Sequence, residues 1–314
     1  MATLFLRGLI FRVILGVRQT SLFGSWVRLE LNMLIFVAGL RSIKLNLERV
    51  AIKYFIAQSV GSRIFLGVLG LSLIRNWSQV IRLSLGTRLL FKLGVAPFHT
   101  WFIRVMSSIS WEFFIMASTL QKILPLFLFS LFTFFPLTFF LLASVVVSLL
   151  GRLNQRSTKK LLAYSSIFSA VWLLSCEINF SVIFIYLFVY TSTLAILIFL
   201  LASENRHNIN ETLYIAHKIK ILIFLARFLS LGGSPPFVGF YAKILVLQII
   251  FSIEQTSWAI TLVVRSIFLL YLYMRFFYYR LVLSETSVRS VFPSGFKRGA
   301  RVIRLFILLR LPWL

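Results

Sequence analysis

The sequence predicts an all-α polytopic membrane protein with about 10–11 transmembrane helices. Three observations carry that expectation. First, 60% of the 314 residues are hydrophobic and 16% aromatic, with a mean hydropathy of +0.94. Soluble domains sit near 45–50% apolar, so this chain has too few polar side chains to cover a water-facing globule. Second, the apolar runs are continuous. No residue from Phe180 to Ala202 is charged, and none from Ile123 to Gly151, where only Pro125 and Pro136 intervene. Such runs match the roughly 20 residues that cross a hydrocarbon core. Third, the pattern does not alternate, as a barrel of ~10-residue lipid-facing strands requires.

The spans follow in order. The first, 3–19, lies in "MATLFLRGLIFRVILGVRQ". It has no clear small-residue cleavage site and leads into further spans, so it reads as a helix rather than a signal peptide. The second, 22–40, gives way to the polar stretch 41–51, and the third occupies 52–74. The fourth, 79–106, is interrupted by "KLGVAPFH", with Gly94 and Pro97. Spans 110–131 and 133–150 precede the polar loop 152–159; 160–177 and 180–202 precede the loop 203–218. The span 219–251 is interrupted by "LGGSPPFVGFYAK", with Gly232, Gly233, Pro235 and Pro236. A span at 257–280, an irregular stretch at 282–299 and a terminal helix at 300–314 complete the chain. No soluble domain is evident, so 1–314 is taken as a single transmembrane bundle domain.

Glycine and proline interrupt the helical ladder and free backbone carbonyls. In lipid that is tolerated where the break faces protein or water. A matched pair of such breaks points to inverted repeats around an ion path; packing kinks are the alternative. The charges separate the two. All eight acidic residues are glutamates, and Glu30 lies inside the second span. Lys92 precedes the first break, Lys122 lies mid-span in "MASTLQKILPLFLF", and Lys243 follows the second break. Lys53 and Lys218 lie near span ends, where a lysine reaches the interface along its own stem. Lys122 has a dozen mostly apolar residues on either side and cannot do so. A buried ionisable residue costs about 2.5–3.5 kcal/mol on insertion scales, so these lysines are functional candidates. Desolvation favours the neutral amine, and a nearby carboxylate restores the ammonium. At an effective dielectric near 20, a carboxylate about 4 Å away contributes about 4 kcal/mol. Moving or removing one carboxylate can therefore toggle a lysine's proton. Water and His99 could bridge a row of such lysines.

Other chemistries find little support. One cysteine, Cys176, permits neither an internal disulfide nor a cysteine-based metal site. His99, His207 and His217 show no metal-ligand spacing, and no phosphate-binding or dinucleotide loop occurs. The expectation is no metal, no bound nucleotide, no redox centre and no catalytic residue in this chain.

The strings "WVRLELNMLIF", "AIKYFIAQ", "KLGVAPFHTWF", "LQKILP", "GRLNQRSTKKLLAYSSI" and "LGGSPPFVGFYAK" together resemble the NADH-ubiquinone oxidoreductase chain 2 family, the antiporter-like membrane subunits of respiratory complex I. The resemblance covers about residues 25 to 245. It implies inverted five-helix repeats with two broken helices, and a proton path through one glutamate and three lysines, which fall on Glu30, Lys92, Lys122 and Lys243. It further implies a multi-pass protein of the mitochondrial inner membrane. Its partners would be neighbouring antiporter-like subunits, a lateral helix from one of them, and membrane lipids such as cardiolipin. NADH, FMN, iron–sulfur clusters and ubiquinone would be bound by other subunits. The rivals are a subunit of a multisubunit cation/proton antiporter and a structural membrane scaffold.

The net charge of +25 from 33 Lys+Arg would suggest nucleic acid for a soluble protein, but not for this apolar chain. Arginines fall inside spans at Arg63, Arg75, Arg88, Arg227 and Arg265, and Arg28 and Arg152 stand where the resembled family has glycine. Two readings are open. They are real arginines paired with carboxylates or lipid, although eight glutamates cannot pair 33 cations. Or they are AGA/AGG codons that the source's genetic code reads as glycine or serine. The five methionines beside abundant isoleucine fit the second.

Overall fold

The computed structural model describes residues 22–43, 47–74, 78–130, 137–153, 155–176, 179–203 and 218–289. Twelve helices lie among them. They are α1 (Leu22–Ile43), α2 (Glu48–Ile74), α3 (Ser78–Leu93), α4 (Thr100–Ser108), α5 (Trp111–Ser118), α6 (Leu120–Ser130), α7 (Leu137–Leu153), α8 (Thr158–Ser175), α9 (Phe180–Ser203), α10 (Lys218–Gly232), α11 (Val238–Ser252) and α12 (Thr256–Arg289). Met1–Tyr273 form one compact unit and Met274–Leu314 a second, whose described part is helical through Arg289.

Within the first unit, α1 packs on α2, and α2 on α3 and α4. Helix α6 lies against α1, α3 and α5. The middle is α8, which touches α4, α7, α9 and α11. From Leu161 to Leu174 every residue of α8 except Tyr164 is buried, as expected of a helix that is apolar on all sides. The outside is apolar too: Phe188, Phe199, Ile267 and Leu150 are all well exposed. A soluble protein would not present such rings of large side chains, whereas lipid tails would cover them. Trp111–Ser130, Phe180–Ser203 and Thr256–Arg275 are long and apolar enough to cross a membrane, and Leu137–Leu153, Leu222–Gly232 and Val238–Ser252 are shorter apolar helices. The protein is a multi-pass, all-α membrane bundle.

The two glycine- and proline-rich strings end their helices in the same way. At the end of α3, Gly94 N–H donates to Phe91 O and Val95 N–H to Leu90 O, with Gly94 at φ 71°. At the end of α10, Gly233 N–H donates to Ser230 O and Ser234 N–H to Leu229 O, with Gly233 at φ 80°. This is the left-handed glycine cap that satisfies the last carbonyls of a helix. Each loop also holds a cis peptide bond, Ala96–Pro97 and Pro235–Pro236. Ser144 of α7 accepts the free Ala96 N–H at 3.2 Å.

Several expected boundaries move. The span 110–131 is two helices, parted at Thr119 (φ −124°, ψ −75°). No glycine or proline marks this point. The hydroxyls of Ser118 and Thr119 both donate to Ile115 O, at 3.0 and 2.7 Å, and such back-bonding bends helices. The stretch 282–299 is not irregular throughout, because α12 continues to Arg289. The loops 41–51 and 152–159 are shorter than expected. Arg41 lies in the last turn of α1 and Glu48 in the first turn of α2, where the helix dipole favours them, and Arg152 lies in the last turn of α7. The expected helices 3–19 and 300–314 lie outside the described residues.

Candidate functional site

Helix α1 carries Glu30 towards the last turn of α3, where Lys92 donates from Nζ to Glu30 Oε1 at 3.0 Å. The two side chains are only 6% and 16% exposed. This is the one ion pair among the described residues.

Lys122 sits in the first turn of α6, immediately after the bend at Thr119, and is buried. Its Nζ donates to the Ser166 carbonyl at 2.5 Å and to Ser166 Oγ at 2.6 Å, with the Phe102 ring 5.6 Å away. Its hydrogen-bond partners are thus neutral dipoles.

Lys243 projects from α11 back to the end of α10. Its Nζ donates to Gly232 O at 2.5 Å and Leu231 O at 3.3 Å, carbonyls that the helix end leaves available. The rings of Trp172 and Phe168, both on α8, lie 5.4 and 5.8 Å away. A Cβ on Gly233 would fall 2.6 Å from Lys243 Cδ and Nζ, so the helix cap and the lysine occupy one space.

The structure therefore brings Glu30 and Lys92 together and places Lys122 and Lys243 against the same central helix, α8. His99 sits half-buried between α3 and α4. No hydrogen bond among the described residues joins it to a lysine. Ser166 escaped attention in the sequence because serine in a membrane helix usually bonds its own turn; the doublet Ser165-Ser166 in an otherwise apolar run was the available signal.

Arg152 behaves differently from these lysines. It is fully buried, and Nε, Nη1 and Nη2 have no hydrogen-bond partner. It lies 5.8 Å from the Phe168 ring, which Lys243 also approaches, and 5.9 Å from that of Tyr273. An uncompensated buried charge costs on the order of 3–5 kcal/mol. Arg28 Nη1 and Arg88 Nε and Nη1 are likewise buried without a hydrogen-bond partner. Mass spectrometry of the native protein is expected to find glycine or serine at 28 and 152. Arginine at both positions would end that reading.

Residues 20–269 match the family described as NADH:quinone oxidoreductase/Mrp antiporter, TM. NADH-ubiquinone oxidoreductase chain 2 of Anopheles gambiae is 34% identical over 320 residues, covering 96% of this chain and 92% of that protein. The protein of the same name from Artemia franciscana is 34% identical over 295 residues, covering 92% and 90%. A chain of respiratory complex I from Thermus thermophilus with bound aureothin aligns with a TM-score of 0.74 at 24% identity, over 85% of this chain and 68% of that one. A chain of the Mrp complex from Dietzia sp. DQ12-45-1b aligns with a TM-score of 0.67 at 20% identity, over 86% and 59%. At these identities the structural likeness bears on the fold.

Proposed function

Because the chain belongs to the NADH:quinone oxidoreductase/Mrp antiporter transmembrane family, as an antiporter-like subunit of the NADH-ubiquinone oxidoreductase chain 2 type, we propose that it translocates protons in respiratory complex I through a relay of Glu30, Lys92, Lys122 and Lys243. The observation that carries this reading is the burial of three lysines in an apolar bundle, each held by a different kind of acceptor. Lys92 has a carboxylate, Lys122 a hydroxyl and a carbonyl, and Lys243 the carbonyls of a helix end. Graded acceptors give graded proton affinities, which a relay needs and a scaffold does not.

The two helix breaks belong to inverted repeats. Their matching glycine caps support that, as does the placing of Lys92 before its break and Lys243 after its own. The subunit is not catalytic alone. NADH oxidation and quinone reduction occur on other subunits, and their energy reaches this one as displacement and field. It works among other membrane subunits in the mitochondrial inner membrane, with a lateral helix and anionic lipid against its apolar outside. Cardiolipin suits the loop cations.

Glu30→Gln tests the relay. The amide still accepts a hydrogen bond from Lys92 but no longer carries its charge. Hydrogen bonds to charged groups are worth about 1.5–3 kcal/mol, so proton-coupled turnover is expected to slow by roughly 10- to 100-fold, with Glu30→Asp retaining part of it. Normal turnover and proton stoichiometry in an assembled Gln variant would leave Glu30 as a mere helix tie.

A further inference from the structure

Lys92 and Lys122 line one small cavity, of about 20 Å³, room for about one water. Its polar lining also includes Asn32, Tyr54, Gln58 and Gln121, none of them charged. Asn32 Nδ2 donates to Gln121 Oε1 at 3.0 Å, and Tyr54 OH donates to the same oxygen at 3.4 Å. That uses both acceptor positions of the Gln121 oxygen. Two atoms are left over: Gln121 Nε2, a donor, and Asn32 Oδ1, an acceptor, both buried and without a hydrogen-bond partner. Turning both amides over exchanges the roles and still leaves one donor and one acceptor, so the argument does not depend on which way they face. Pro125, which also lines the cavity, has no N–H to give to the Gln121 carbonyl, which therefore lacks its usual helical donor. A buried donor and acceptor beside a water-sized space are the conditions under which a water is held.

We infer that Gln121, braced by Asn32 and Tyr54, is a positioning residue that holds a proton-conducting water between Lys92 and Lys122. This rests on the relay reading above. The water takes a proton from the Lys92 ammonium as it gives one to the neutral amine of Lys122. Lys92 ends as the amine, Lys122 as the ammonium, and the water is unchanged. Neither amide releases a proton; they fix where the water sits. The bend at Thr119 directs this turn of α6 inwards, with Lys122 on Ser166 of α8 and Gln121 on Asn32 of α1.

The test uses the whole complex in sealed vesicles, reading NADH oxidation and protons moved per NADH for Gln121→Leu, Asn32→Leu, their double variant and Lys122→Met. Each leucine variant is expected to slow pumping about tenfold, and the double variant to be no slower than either, because all three lose the same water. Wild-type pumping by assembled Gln121→Leu and Asn32→Leu, while Lys122→Met stalls, overturns the inference and leaves the relay standing. Losses that multiply in the double variant overturn it as well, since the two amides then act apart. Wild-type pumping by Lys122→Met removes the relay itself. Should Gln121→Leu fail to assemble, Asn32→Leu beside Lys122→Met reads the same water: slow pumping supports it and wild-type pumping overturns it.

Discussion

Lys122→Met is expected to leave the complex assembled and to abolish most of the pumping coupled to NADH oxidation. The fold should accept the change. Methionine has similar length, fills irregular apolar space, and brings no ammonium to desolvate beside Phe102 and Ser166. The chemistry should not accept it. A positioned proton-transfer group is worth on the order of 10²–10⁴ in rate, and nothing else described at this turn of α6 titrates in its place. Lys122→Arg is expected to fail too, although it keeps the charge, because a guanidinium does not release protons. Proton stoichiometry and NADH oxidation in the purified complex separate the outcomes. Wild-type pumping in an assembled Met variant would take Lys122 out of the mechanism.

Gly233→Ala should also slow pumping, by less and for a reason of space. Its φ of 80° is left-handed, which costs a side chain about 1–2 kcal/mol. The new methyl would also meet Lys243 Cδ and Nζ at 2.6 Å, displacing the ammonium from the Gly232 and Leu231 carbonyls. Gly94→Ala is the natural comparison. Its φ is 71°, and its methyl would meet Phe102 Cβ at 2.8 Å rather than a lysine. Both variants should lower thermal stability by similar amounts, while only Gly233→Ala loses a further tenfold or so in pumping. Equal pumping in the two would separate Lys243 from its helix cap.

Much of this site was visible as chemistry in the sequence. A glutamate and three lysines in apolar runs can be found by their cost, and Gly94, Pro97, Gly233 and Pro236 by their effect on a helix. What stayed hidden was made of neutral groups. The bend at Thr119 comes from two hydroxyls sharing the Ile115 carbonyl, and threonine alone does not announce that. Asn32 lies close to Glu30, and Gln121 beside Lys122, yet a neutral amide acquires meaning only when another helix supplies its partner. Ser166 likewise matters through α8 being the helix against which Lys122 rests. The arginines ran the other way. The sequence left two readings of Arg152 open, and burial without a hydrogen bond weighs against a guanidinium there.

The different surroundings of the first two lysines have an electrical consequence. Protonated Lys92 beside ionised Glu30 is a neutral pair, 3.0 Å across, with only a small dipole. Protonated Lys122 on Ser166 carries a whole uncompensated charge. A proton passing from one to the other therefore separates charge, leaving an anion at α1 and a cation at α6. Such a step works against the attraction between the two charges, about 4 kcal/mol for unit charges about 4 Å apart at an effective dielectric near 20. Transfer into Lys122 should then be the step that the charge left on Glu30 opposes most.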